Sequence, residues 1–139
     1  MTDYNDWNQK IIEEFRSAGG KVGGQFEGAP VLLLTHTGAR TGKTYTTPMM
    51  YLADGDRYVV FASKAGAPTN PDWYHNLVAH PRATVEVGTE TFEVDAEVAP
   101  REARDRLYAV QSERYPGFAE YQAKTTRVIP AVILRRAVA

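Results

Sequence analysis

The sequence predicts an α+β fold, mainly β, in which one antiparallel sheet curls into a small barrel. Three observations carry this. Strand-sized apolar runs occur at Val31-Leu32-Leu33-Leu34 and Tyr58-Val59-Val60-Phe61-Ala62. Hairpin signals stand at Asp54-Gly55-Asp56 and Gly88-Thr89-Glu90. No regular strand–helix–strand alternation is present, which favours an antiparallel sheet closed into a small barrel. The order reads helix, three strands, helix, two strands, two helices and a final strand, so six strands in all.

The elements follow in turn. Residues 4–18 place Trp7, Ile11, Ile12 and Phe15 near helical spacing, with Asp3 or Asn5 as cap. Gly19, Gly20, Gly23 and Gly24 break this helix and read as a mobile link. The helix packs over the barrel mouth; the alternative is a surface helix that touches a membrane or a lipophilic substrate. Residues 30–37 and 45–53 read as strands, with Pro48 marking an edge or bulge. Residues 57–63 form a buried strand. Asn70 suits an N-cap, Pro71 the first helical position and Asp72 the positive end of the dipole, giving a helix over Asp72–Ala79. Strands at 83–88 and 91–98 follow. Pro100 opens a charged helix with Ala103, Leu107 and Val110 on one face, and Tyr115-Pro116-Gly117 interrupts it. A short helix from Phe118 to about Lys124 and a strand at 131–136 complete the chain, read as one domain over residues 1–139.

Bulk composition narrows the function classes. A length of 139 residues suits one core, and 43% hydrophobic with 24% charged residues is ordinary for a globular protein. The net charge of −1 gives no global attraction to nucleic acid or to an anionic membrane, so any anion site is local. The absence of cysteine removes disulfides, thiolate metal sites and cysteine nucleophiles. Residues 1–8 lack the apolar core of a signal peptide, and no apolar run approaches a bilayer span. A cytoplasmic location is expected, with membrane association through the first helix as the alternative.

The segment Leu34-Thr35-His36-Thr37-Gly38-Ala39-Arg40-Thr41-Gly42-Lys43-Thr44-Tyr45-Thr46-Thr47-Pro48 runs from a strand through a basic, glycine-rich turn into the next strand. Such a turn offers free backbone N–H groups, hydroxyls and cations to a phosphate or to carboxylates. A second basic turn, Ala62-Ser63-Lys64-Ala65-Gly66, ends the following strand. Two such turns on neighbouring strands imply one extended anionic ligand. The end of the first turn, Gly42-Lys43-Thr44, matches the end of a Walker A loop. The glycines enclose three residues rather than four, however, and a strand follows instead of a helix. His36, His75 and His80 lack metal-type spacing, and no Gly-x-Ser-x-Gly elbow occurs.

The turn motifs, Pro48, Asn70-Pro71-x-Trp73-Tyr74-x-Asn76-Leu77 and His80-Pro81, occurring in this order, resemble the deazaflavin-dependent nitroreductase family over roughly residues 25–135. The resemblance implies a split β-barrel of the FMN-binding type and coenzyme F420, a deazaflavin with a phosphate and an oligoglutamate tail. It implies a cofactor-contacting set of Ala39, Arg40, Thr41 and Lys43 in the first turn and Tyr45, Thr46, Thr47, Pro48, Met49, Met50 and Tyr51 in the next strand. Phe61, Ala62, Ser63 and Lys64 follow, then Asp72, Trp73, Tyr74, His75 and Asn76, and finally Phe118. Arg40 and Lys43 would meet the carboxylate tail, and Ser63 and Lys64 the phosphate or ring edge.

Tyr115 and Tyr121 match tyrosines that face the substrate in that family and are the candidate catalytic residues, in a lid over residues 115–121. The central lid position is Phe118 and a ring-facing position is Met50, where nitroreductases carry tyrosine; neither can donate a proton. These departures favour quinones over nitro compounds. The expected function is hydride transfer from F420H2 to a quinone or similar lipophilic acceptor. The alternatives are an FMN-binding oxidoreductase and a non-enzymatic carrier of F420 or a lipophilic ligand. The sequence leaves the oligomeric state open.

Overall fold

A computed structural model of the chain describes residues 3–23 and 28–137. In order, these form α1 (Asp3–Ser17), β1 (Val31–Thr37), β2 (Thr44–Met50), β3 (Leu52–Asp54), β4 (Arg57–Phe61), α2 (Asp72–Ala79), β5 (Arg82–Val87), β6 (Glu90–Val98), α3 (Arg101–Arg114), α4 (Gly117–Ala123) and β7 (Ala131–Arg136). The strands make one sheet in the order β2-β1-β5-β6-β7-β4-β3, and every pairing is antiparallel.

The two ends of that order are the same piece of chain. β2 pairs with β1 as far as Val31 opposite Met50, and β3 pairs with β4 from Leu52 opposite Val59. Only Tyr51 lies between them. Alternation runs straight through: Met49 and Tyr51 pack on one apolar cluster, while Met50 and Leu52 pack on the other side. A sheet whose first and last strands are contiguous in sequence must curl to bring its ends together. This corrects the strand count from six to seven. Residues 45–53 do extend as a single run, but the ladder changes partner after Tyr51, whose N–H still donates to the Pro30 carbonyl (3.1 Å), one step beyond the last β1–β2 pair.

Burial on both faces explains the continuous apolar runs. Successive strand residues point to opposite sides, so Val31-Leu32-Leu33-Leu34, all buried, must be covered twice. Leu32 and Leu34 join Val60, Ala62, Val85, Val94, Val132 and Leu134 on the inner face, where Trp73 and Leu77 of α2 close the cluster. Val31 and Leu33 face outward onto Ile11, Ile12 and Phe15 of α1. On the far side, Val59, Phe61, Ala131 and Ile133 face outward onto Leu107, Tyr108 and Phe118 of α3 and α4. One helix therefore fills the concave face, and the other three cover the convex one.

The apolar face of α1 is thus spent inside the protein, although Trp7 lies outside the described side chains. A bidentate pair from Arg16 to Glu86 (3.0 and 2.7 Å) fixes the helix to β5. The glycines after it are not a mobile link within the described residues. Gly20 sits so close to the β5–β6 turn that a Cβ there would lie 2.6 Å from the Gly88 Cα, and the Gly23 N–H donates to the Glu14 carboxylate (2.9 Å); Gly24 lies outside the described residues. On α3, Leu107 is buried as the sequence implies, but so are Arg104, Tyr108 and Gln111.

Phe15 is 1% exposed in the α1–β1 cluster. Phe15→Ala should lower global stability by about 3–5 kcal/mol, in a single urea transition that includes α1. A separate early transition would mean that the helix is an appendage.

Candidate functional site

The inner face of the sheet opens at one end into a cavity of about 840 Å³, a size typical of cofactor sites. Its walls come from four places: the β1–β2 loop (Gly38, Ala39, Arg40 and Thr41), the start of β2 (Tyr45, Thr46 and Thr47), Lys64, and the first turns of α2 (Pro71, Asp72, Trp73, His75 and Asn76), with Asn8 of α1 at the rim.

The β1–β2 loop spends most of its backbone on itself. Gly38 N–H donates to the Lys43 carbonyl (2.7 Å), Gly42 N–H to the Gly38 carbonyl (3.0 Å) and Lys43 N–H to the Thr41 hydroxyl (3.2 Å). Ala39 N–H donates to Asn76 Oδ1 (2.9 Å). Only the N–H groups of Arg40 and Thr41 have no partner among the described residues. The expected nest of free N–H groups is therefore reduced to two, beside the Arg40 guanidinium. Lys43 is exposed and does not line the cavity.

Lys64 lies in a short 3-10 turn, Lys64–Gly66, with φ +47°. That region is uncommon for a residue with a Cβ and costs about 1–3 kcal/mol unless the surroundings impose it. Here they do. Arg127 donates from Nε to the Ala67 carbonyl (2.9 Å), from Nη1 to Asn70 Oδ1 (2.6 Å) and from Nη2 to the Ser63 carbonyl (3.0 Å), so one guanidinium clamps both ends of the loop. Burial pulls its pKa below the ordinary value, with Tyr108 opposing. At Gly66 a Cβ would meet the Tyr121 carbonyl oxygen at 2.9 Å, so the turn lies directly on α4. Asn70 consequently does not cap α2: its oxygen is taken by Arg127, and Pro71 holds the N-cap position without a side-chain bond.

His36 anchors the floor. It extends the inward-facing series of Leu32 and Leu34 and is 4% exposed. Its Nε2 lies 3.0 Å from Thr47 Oγ1 and its Nδ1 3.0 Å from Asn76 Nδ2. Burial lowers its pKa to about 4, against a smaller opposing pull from Asp72. Tyr45 stacks on the imidazole at 6.0 Å between centroids, and its hydroxyl meets Thr41 Oγ1 (3.1 Å).

Of the residues expected to contact a cofactor, Ala39, Arg40, Thr41, Tyr45, Thr46, Thr47, Lys64, Asp72, Trp73, His75 and Asn76 come together on the cavity. The others do not line it, for reasons of packing. Pro48 is buried opposite Leu33, and Met49, Met50 and Tyr51 pack on the apolar clusters. Phe61 and Phe118 pack on each other (5.9 Å) and on Tyr108 beneath α3 and α4. Ala62 is fully buried, Ser63 gives its carbonyl to Arg127, and Tyr74 faces the other side of α2 beside Val78 and Pro81. Tyr115 and Tyr121 are half-buried against the Phe118 cluster rather than over the cavity. Asn8, Gly38, Pro71, His36 and Arg127 were not among the expected residues. A lone polar side chain in the inward series of β1 signals His36; nothing local signals Arg127, whose partners lie 57 to 64 positions away.

The His36 environment has a pH signature. The unfolded imidazole titrates near 6.5 and the folded one near 4. Between these values the unfolded chain binds the proton and the folded one does not, so folding stability falls as pH falls through that window. The loss attributable to His36 is on the order of 3 kcal/mol. Urea midpoints of wild type and His36→Gln between pH 7 and 4 should converge as acid is added; parallel curves would contradict the burial of a neutral imidazole.

Comparison with known proteins gives a consistent answer. The family model described as F420H(2)-dependent quinone reductase matches residues 7–136. An F420H(2)-dependent quinone reductase of Mycobacterium tuberculosis (strain ATCC 25618 / H37Rv) is 40% identical over 126 residues, covering 88% of this chain and 85% of that protein. A solved F420-H2 dependent reductase (FDR-A) superposes with a TM-score of 0.70 at 37% identity, covering 76% of this chain and 94% of the other. A structure described as a domain-swapped dimer superposes with a TM-score of 0.72 at 33% identity, covering 96% and 100%. With its curled sheet and donor-lined cavity, the chain belongs to the F420H(2)-dependent quinone reductases, a family of oxidoreductases whose cofactor is coenzyme F420.

Proposed function

We propose that this protein binds F420 in the cavity beside α2 and reduces a quinone or a similar lipophilic acceptor, on a split barrel of the FMN-binding type. The observation that supports this most directly is the donor set of the cavity. Arg40, Lys64, Thr46, Thr47 and two N–H groups unpartnered among the described residues line one cavity, and Trp73 adds an apolar surface to it. A flat ring with a phosphate and a carboxylate tail needs this division. When bound as F420H2, the cofactor supplies a hydride. Overall, F420H2 and quinone become F420 and quinol, so two electrons and two protons pass and nothing else is consumed.

The chain's own residues bind and orient. Arg40, with its N–H and that of Thr41, holds the carboxylate tail at the open end. Lys64, pre-set by Arg127, meets the phosphate. Thr46, Thr47 and Asn76 fix the ring edge, while Trp73 and Tyr45 keep water from its face. Tyr115 and Tyr121 lie in the segment that abuts the Lys64 turn, and we assign them to the acceptor side. Phe118, packed on Phe61 and Tyr108, has no donor to offer a nitro group, so quinones are the favoured acceptors. The reading needs no membrane contact, since Ile11, Ile12 and Phe15 are already buried.

Steady-state oxidation of F420H2 with menadione should be accelerated by this protein, and titration with both cofactors should show binding of F420 and not of FMN. Binding of F420 without turnover would instead identify a carrier, and preference for FMN would overturn the cofactor assignment. Arg40→Ala should weaken F420 about tenfold when the tail is long and less when it is short, the loss of one charge-assisted contact. Lys43→Ala, outside the cavity, should have the smaller effect; equal losses for both tail lengths would move the tail elsewhere.

A further inference from the structure

The bonds around His36 have a direction that can be read without ambiguity. A backbone N–H only donates, so the Asn76 atom that faces Ala39 N–H must be the carbonyl oxygen (2.9 Å). The amide nitrogen of Asn76 then faces His36 Nδ1 (3.0 Å) and donates to it. An Nδ1 that accepts carries no proton. A neutral imidazole has one N–H, which must therefore be at Nε2, 3.0 Å from Thr47 Oγ1. The Thr47 oxygen is the acceptor in that bond, and its own hydrogen has no acceptor among the described residues. Thr47 and Asn76 both line the cavity, and the second hydrogen of the Asn76 amide is also uncommitted.

We propose that His36 is a positioning residue that frees the Thr47 hydroxyl hydrogen to donate into the cavity, so that Thr47 and the Asn76 amide together favour a ligand presenting an acceptor oxygen there. The inference rests on the proposed F420 site, where a carbonyl or phosphate oxygen of the cofactor would be the acceptor. The chain Ala39–Asn76–His36–Thr47 begins at a backbone donor and cannot reverse without stranding that N–H. A threonine hydroxyl alone can donate or accept. Tied to His36 it has one lone pair occupied and its hydrogen free, so an acceptor oxygen at this point meets two available hydrogens, whereas a ligand donor finds one remaining lone pair. Buried networks of this kind specify geometry because every alternative leaves a polar group unpaired. His36 touches no part of the cavity itself; it acts through Thr47.

Two measurements test this. The first needs no ligand: long-range 1H–15N spectra of the uniformly labelled full chain at pH 7 should show His36 neutral and protonated at Nε2. An Nδ1–H tautomer, or an imidazolium, overturns the proposal. The second is F420 affinity by fluorescence titration. Thr47→Val, which keeps the shape and removes the hydroxyl, should weaken binding about five- to tenfold, the worth of one hydrogen bond; Thr47→Ser should stay within about twofold by the same reasoning. Equal affinity for Val and Ser overturns the proposal. His36→Gln, whose amide nitrogen can still donate to Thr47, should bind better than His36→Asn, which is too short to reach. If either His36 variant fails to fold, the Thr47 pair and the wild-type tautomer still decide. Wild-type protein that shows the Nε2–H tautomer but binds no F420 overturns the proposed cofactor and the ligand assigned to the donor, while the direction of the chain stands.

Discussion

The whole structure depends on one run of chain that belongs to both ends of the sheet. From Thr44 to Met50 it pairs with β1, and from Leu52 to Asp54 with β4. That continuity forces the sheet to curl, and curling creates a concave face. The concave face is too wide for strand side chains alone to fill, so α2 enters with Trp73 and Leu77. The cavity is what α2 leaves uncovered at one end. The same sheet therefore provides a dry core and a polar mouth, depending only on how far along β1 and β2 one looks. Leu32 and Leu34 lie in the core; His36, one step further in the same inward series, lies beneath the mouth.

Two side chains hold the parts of the mouth that the sheet does not. Asn76 bridges α2 to the β1–β2 loop through Ala39 and to β1 through His36. Arg127 spans the loop that carries Lys64 and reaches three acceptors at once. Behind it, Gln122 accepts from Ile129 N–H (3.0 Å) and donates to the Arg127 carbonyl (2.7 Å), while the buried Arg104 donates to Gln122 and to the Ile129 carbonyl. The Lys64 turn at the cavity is thus held by Arg127, with Gln122 and Arg104 behind it, none of which lines the cavity. A guanidinium suits this task because its donors form a rigid fork, whereas an ammonium could satisfy only one direction well.

Much of this was legible in the sequence because it is local. Hairpin signals, helix breakers and apolar runs act over a few residues, and the glycine-rich basic turns pointed to the cavity rim. What escaped depends on pairing at long range. The seventh strand follows from a change of ladder partner at Tyr51, while the side-chain alternation through that residue stays regular. Pro48, Phe61 and Phe118 stand in or near the motifs, yet the period of two or of 3.6 turns them onto packed apolar surfaces, while Met49 shares the face of Thr47 but lies one step deeper, in the core. Asn70 has every property of a helix cap, and it loses that place to a guanidinium 57 positions downstream. Motif membership told which segments converge; only the ladder register told which side chains reach the cavity.

The position of β7 has a consequence for the order in which the molecule can assemble. Although it follows every other described strand in sequence, it sits between β6 and β4 and joins by hydrogen bonds the β2-β1-β5-β6 ladder to the β4-β3 hairpin, which are otherwise linked through Tyr51. During synthesis both of those pieces emerge first, each with an unpaired edge. Antiparallel hairpins can form at once, but the contacts of β7 with β4 span seventy or more residues and are slow to close. Neither β4 nor β6 has its second neighbour until residues 131–136 are available, so the curl of the sheet can close only when those six residues are inserted between them.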